Sequence, residues 1–551
     1  MHLQHRRIAS IHAAGWAVWA LAAASALSPG IALAQVPDVS TAEPPGFAPV
    51  QLPVVATEPA DAAVRQRDNA PAAPRQSGVW LEPRITVQHT VTNNARLDAT
   101  HVSDQVTEVN PGFRLVSDTA RINGFVDYSL RTAHYARGTA SDQVWHNLNA
   151  RGTAEAIENR VFVDVAGVVA LQPISAFGAP GADSPANPNM AQTSSFRVSP
   201  YLKGSVGSNV DYEARYSVQD TRSDAENRAG VTVQGWLLHL GSKPDGHTII
   251  GWALDAMQED ADFSTGRNVD TTTLRARMSY LASPQLLLVG IGGVESTNQL
   301  SPTHKSHSIV GFGADWRPSK QTRLFLERES RYFGEAHKVN FEYRTSRTIW
   351  SYTDRKGIFA GLGAQSSASM GSLFDLLDSF YARTEPNAIR RTQLVMAEIE
   401  RRGLPADMQV FQDFLTSSST LQRLQELSVA LLGQRSTFTL AVLRSDTRLL
   451  DGTLQLGDDF DTNTRIRQRG WRLMVGHRLT PNASINASFG EMRSVGSVPG
   501  LETRVRPLIL GWDTLVARRT NVGVQLRRVL SDGSVTRYDE SAIMGFITHR
   551  F

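Results

Sequence analysis

Apolar and polar residues alternate with period two along most of the chain beyond Trp80. Between Arg121 and Arg131 the even positions Ile122, Gly124, Val126, Tyr128 and Leu130 are apolar or small. The odd positions Arg121, Asn123, Asp127, Ser129 and Arg131 are polar, with Phe125 the exception. The stretches 210–218 and 274–280 alternate without a fault. Period two places the two sets on opposite faces of a strand, so the chain reads as a long run of strands with one apolar and one polar face.

A soluble sandwich shows the same alternation, and the connections decide between the two. Short ones recur at 116–118, 157–160, 243–246, 283–284, 318–320 and 480–482. Between them lie longer polar loops at about 93–103, 172–193, 220–230, 258–269, 296–306 and 447–464. Short turns on one side and long loops on the other are the pattern of an up-and-down transmembrane barrel. The reading is therefore an all-β, antiparallel transmembrane β-barrel of about 22 strands, apolar face to lipid and polar face to the lumen.

One segment breaks the alternation. Over 372–417 the residues Leu373, Phe374, Leu376, Leu377, Phe380 and Tyr381 fall at helical spacing, followed by a weaker stripe of Ile389, Val395, Met396 and Ile399. Strand parity puts this helical insert on the long-loop side, leaving after a strand near 348–354 and re-entering around Leu427–Gly433.

Residues 1–34 read as a secretory signal, with His5-Arg6-Arg7, an apolar run from Ala13 to Leu27 and a small-residue cleavage site at Ala32-Leu33-Ala34. Residues 35–77 are rich in Pro and Ala and read as a disordered periplasmic tether. The barrel is expected over 78–551, in the outer membrane of a Gram-negative cell. Its last strand carries Ile543, Gly545, Ile547 and Phe551 on one face, and the terminal Phe551 is the expected C-terminal barrel-assembly signal.

The composition narrows the function. The chain has no cysteine, so neither disulfides nor a lipid anchor hold it. A net charge of +3 with arginines spread along the chain gives no reason to expect nucleic acid as a partner. No nucleophile elbow, metalloprotease motif, phosphate-binding loop or calcium loop occurs, and the 14 histidines lack ligand spacing. No catalytic, cofactor-binding or metal-binding residue is therefore assigned, and the chain is not read as an enzyme. Gly290-Ile-Gly-Gly293 lies in a strand, where glycine reflects close packing. What remains is the lumen face, to which alternation assigns Arg121, Arg131, Arg151, Arg215, Arg275 and Arg277 together with Asp127, Glu155, Asp211 and Glu213. Such charges either pair across strands or meet a solute.

Several segments, in order and spacing, resemble one family. They are Thr90-Val-Thr-Asn-Asn94, Val109-Asn-Pro-Gly112, Ile157-Glu-Asn-Arg-Val-Phe-Val-Asp164, Gln172-Pro-Ile-Ser-Ala-Phe-Gly178 and Ser199-Pro-Tyr-Leu202. Trp316-Arg-Pro-Ser319, Phe414-Leu-Thr-Ser417 and Leu421-Gln-Arg-Leu-Gln-Glu-Leu427 continue the series. Residues 80–551 thereby resemble the outer-membrane β-barrel proteins associated with the PEP-CTERM/exosortase system. The resemblance implies a barrel working in exopolysaccharide export or assembly. Its partners would be outer-membrane lipid, the barrel-assembly machinery, exopolysaccharide and periplasmic export components. One position departs from the usual terminal pattern: His549 stands where an aromatic or aliphatic residue is common. Two other readings remain, a general or solute-specific porin and a non-transporting protein that anchors surface polymer.

Overall fold

The computed structural model describes residues 78–551, apart from 180–185, 227–229, 244–248, 265–267, most of 360–413, 451–457 and 536. These residues form 22 antiparallel strands, each paired with the next in sequence. The first half comprises β1 (Gly78–Thr92), β2 (Asp104–Asp118), β3 (Ile122–Tyr135), β4 (Gln143–Ile157), β5 (Val161–Pro173) and β6 (Met190–Val206). It continues with β7 (Val210–Ser223), β8 (Val231–Ser242), β9 (Ile250–Phe263), β10 (Val269–Ser283) and β11 (Leu286–Thr297). The second half comprises β12 (Lys305–Ser319), β13 (Thr322–Arg331), β14 (Gly334–Arg344), β15 (Thr348–Phe359), β16 (Thr420–Leu432) and β17 (Ser436–Leu449). It closes with β18 (Arg465–Arg478), β19 (Ala483–Val495), β20 (Glu502–Ala517), β21 (Thr520–Gly533) and β22 (Tyr538–Arg550). β1 pairs with both β2 and β22, so the sheet shuts into a barrel and leaves no edge.

The alternation decides which face meets what. On β10, Arg275 and Arg277 point inward while Leu274, Met278 and Tyr280 point outward, where Met278 is 65% exposed. On β12, Val310 and Phe312 stand on the outside at 66% and 55%. A water-facing surface does not carry a continuous belt of such residues, whereas a bilayer requires one. Tyr280, Trp316, Trp350 and Trp512 edge the belt near the short-turn end, the level at which amphipathic rings favour the membrane interface. The protein is thus an outer-membrane-type β-barrel.

The short turns lie at 119–121, 158–160, 284–285, 320–321 and 479–482, all at one end, while the connection after β8 lies mostly outside the described residues. The long loops gather at the other end. Within the glycine-rich strand β11 the roles divide. A Cβ on Gly293 would come 2.3 Å from the Leu274 carbonyl oxygen, whereas Gly290 and Gly292 face open space. Close packing therefore accounts for Gly293 alone.

Two expectations change. The chain re-enters the barrel at Thr420, not at Leu427–Gly433. Leu421, Leu424 and Leu427 have a three-residue spacing that imitates a helix. In the strand Leu424 points inward and is buried, while its two neighbours face out. The helical insert falls largely outside the described residues. Within it, Tyr381, Arg391, Thr392, Leu394 and Val395 have helical backbone, and 414–417 have no regular structure. The signal (1–34) and the tether (35–77) also lie outside the described residues.

Candidate functional site: a plate across the barrel mouth

The arginines on the lumen wall are mostly paired. Arg131 donates to the fully buried Glu108 at 3.1 Å. Arg215 donates to Asp164 at 2.7 Å and to Glu213 at 2.8 Å, and lies 3.9 Å over the Tyr201 ring. Arg277 meets Asp255 at 2.5 Å, and Asp255 also bonds His239 at 2.7 Å. Arg275 reaches Glu329, on β13, at 3.0 Å. Among the acids, Asp127 takes Arg84 at 2.5 Å, and Asp211 lies 3.7 Å from Lys243. The Asn159 amide donates to Glu155 near the short turn. Most of these pairs staple strands to one another, from neighbours such as β9 and β10 to strands three apart, β10 and β13. Charges committed in this way offer little to a passing solute.

Arg151 differs: it faces the lumen on β4, is exposed, and has no ion-pair partner among the described residues. Arg121 is not on the wall. It is exposed in the turn before β3, where its carbonyl accepts the Glu155 amide at 2.7 Å. The polar alternation runs one residue past the true start of the strand at Ile122. Phe551 stands on the outer face at the short-turn end, its amide donating to the Pro83 carbonyl at 2.9 Å. His549 is accommodated beside it, with its ring 4.9 Å from that of Phe551 and its Nδ1 2.9 Å from the Thr520 hydroxyl.

The feature with the clearest functional geometry is at the opposite end. The Leu415 amide donates to the Pro173 carbonyl at the tip of β5 (2.9 Å), and five residues later Thr420 opens β16. β5 and β16 stand half of the 22-strand ring apart. Five extended residues reach at most about 18 Å. A circular barrel of 22 strands, spaced about 4.8 Å and tilted about 40°, is about 40 Å across. Chain therefore spans the mouth, and β5 and β16 come closer together there than a circular outline allows.

Other loops complete the crossing. The Ala176 amide donates to Asp459 at 2.7 Å, and the Thr503 hydroxyl at the top of β20 donates to the Phe177 carbonyl at 3.0 Å. Phe177, Phe414 and Phe460 bury their rings together against Ile466. Each such ring contributes roughly 2–3 kcal/mol of burial. Leu97, from the β1–β2 loop, packs with Ala179 and Tyr538 in an adjoining cluster. Its φ of 55° is unusual for a branched side chain and costs about 1–2 kcal/mol, offset by this burial.

Buried polar groups fix the arrangement. Asp458 accepts from the Thr416 hydroxyl at 2.9 Å and the Ser417 amide at 3.0 Å. Asn189 donates to the carbonyls of Ser175 and Ala179, both at 3.0 Å. A Cβ on Gly178 would come 2.3 Å from the Asn189 side chain, so only glycine fits this approach. At the rim, the Thr100 hydroxyl bound to Asp98 lowers that carboxyl below its usual range, while burial raises that of Asp224. No grouping of metal-ligating side chains occurs among the described residues. Physically, chain laid across the mouth in this way narrows it.

The alternation could not show this plate, because it is made by loops that meet across the ring. The available signal was a large apolar residue in each of three loops, Phe177, Phe414 and Phe460.

No protein-family model matches the sequence, and no curated protein matches it. Among solved structures, the chain is similar to the siderophore receptor PirA from Pseudomonas aeruginosa at 8% identity, covering 87% of this chain and 81% of that one, with a TM-score of 0.43. It is also similar to the F5-1 variant of the FrpB iron transporter from Neisseria meningitidis at 11% identity, covering 86% and 83%, with a TM-score of 0.48. Neither likeness carries a functional argument.

Proposed function

We propose that this barrel resides in the outer membrane and works as a gated conduit in exopolysaccharide export or assembly, next to the PEP-CTERM system. The observation that carries the gate is the plate. One of its limbs, Phe414–Ser417, is held to the tip of β5 by the Leu415–Pro173 hydrogen bond, so release of that limb would clear the crossing. The family resemblance supports the polysaccharide. Of the lumen charges, Arg151 has no ion-pair partner among the described residues and is placed to meet such a solute.

The reading predicts how an opened barrel responds to sugar polymers. Neutral and anionic oligosaccharides added to one side of a planar bilayer should interrupt the current of a plate-deleted variant in discrete, concentration-dependent events. Current indifferent to both would remove the polysaccharide reading and leave a general porin. A folded barrel silent in every form would favour the anchoring protein, for which the closed plate is the supporting observation.

A further inference from the structure

The outer face of β16–β20 carries a dense band of arginines above its apolar belt. Phe438, Leu440 and Val442 on β17 are followed upward by Arg444, Asp446 and Arg448. On β18 the same level carries Arg465, Arg467 and Arg469, above Trp471 and Leu473. The strand register sets four of the arginines in one row: Arg444 opposite Arg469, Arg469 opposite Arg493, and Arg493 opposite Arg504. Neighbouring strands are about 4.8 Å apart, so the row spans about 15 Å. Like charges directly opposite one another destabilise a sheet unless something neutralises them.

Acids do so only in part. Glu502 takes Arg493 at 2.6 Å, and Glu491 lies 3.8 Å from Arg504 and 3.1 Å from Arg506. Asp446 is occupied by Arg465 and Arg448. Arg444, Arg467 and Arg469 are exposed and have no hydrogen-bond or ion-pair partner among the described residues. The opposite wall has no such row: above its apolar belt, Asp260 faces Asp270.

We infer that the Arg444–Arg469–Arg493–Arg504 row binds the phosphate of a glycolipid headgroup in the leaflet on the long-loop side. The row stands two residues above the last apolar side chain of the belt on β17 and β18 and four above it on β19 and β20, the level at which lipid headgroups start. The guanidinium fork matches a phosphate with two parallel hydrogen bonds. A protein partner would have to reach the row through the lipid, and nothing in the row presents an apolar anchor for one. The inference does not rest on the transport reading.

The test uses the intact chain in detergent with lipid A bearing both phosphates, and native mass spectrometry reads the fraction of barrel with lipid bound. The wild type is expected to hold this lipid about tenfold better than the same glycolipid stripped of phosphate. Arg444→Gln/Arg469→Gln should abolish the preference. Arg444→Lys/Arg469→Lys should keep most of it, which separates loss of charge from loss of folding. Equal binding of the two lipids by the wild type, or an undiminished preference in the Gln variant, overturns the inference. Displacement of the lipid by millimolar inorganic phosphate also overturns it, since the row would then be a site for a free anion.

Discussion

Excising residues 372–417 and bridging the ends with a short flexible linker is expected to open the barrel. The deletion removes the Phe414–Ser417 limb, the Leu415–Pro173 hydrogen bond and one of three rings in the plate core. Phe177 and Phe460 then lose a packing partner, a change of the kind that costs about 3–5 kcal/mol when a buried Phe is truncated. The Ala176–Asp459 and Thr503–Phe177 hydrogen bonds remain, without the chain that joins β5 to β16 across the mouth. In a planar bilayer the excised form should conduct on the order of nanosiemens in molar salt, as expected for a barrel of this strand number. The parent chain should conduct at least tenfold less for most of the time. Equal conductance in the two forms would mean that the plate does not limit passage.

The second large effect concerns stability. Glu329 is fully buried on the lumen wall, 3.0 Å from Arg275 and 3.7 Å from Arg331. Arg331 has a second acid, Glu295, at 2.6 Å; among the described residues, Glu329 is the only acid with which Arg275 forms an ion pair. Glu329→Ala therefore leaves a buried guanidinium uncompensated, and the expected loss is about 3–5 kcal/mol. Urea titration of the folded, heat-modifiable band on a gel would read it as a large drop in midpoint. Arg275→Met/Glu329→Leu should recover most of that loss, because two apolar groups of similar volume replace the whole pair. A single variant with an unchanged midpoint would show that water reaches Arg275.

Much of the barrel was legible because a barrel wall is a local pattern. Each strand announces its two faces within a few residues, as between Ile122 and Leu130, and each short turn announces the reversal. The strand number, the sidedness of the loops and the inward direction of Arg131, Arg215, Arg275 and Arg277 all follow from that. Arg121 failed because alternation does not mark where a strand begins, and the re-entry at Thr420 was hidden by leucines spaced as in a helix.

The plate and the arginine row were illegible for a different reason. Phe177, Phe414 and Phe460 are more than 40 residues apart at the closest, and only ring closure brings them together. The arginines that look scattered along the sequence are gathered by register into one row across β17–β20. Pairing between strands, not period, makes both features.

The most direct test of the gated-conduit account exploits the absence of native cysteines. In the variant Ala176→Cys/Asp459→Cys, an oxidised bridge would replace the 2.7 Å hydrogen bond that ties the β5–β6 loop to the β17–β18 loop. Single-channel recording of this otherwise intact chain should show a silent barrel when oxidised and openings when the bridge is reduced. The same conductance in both states, with the bridge confirmed, would contradict the claim that movement of the plate controls the lumen.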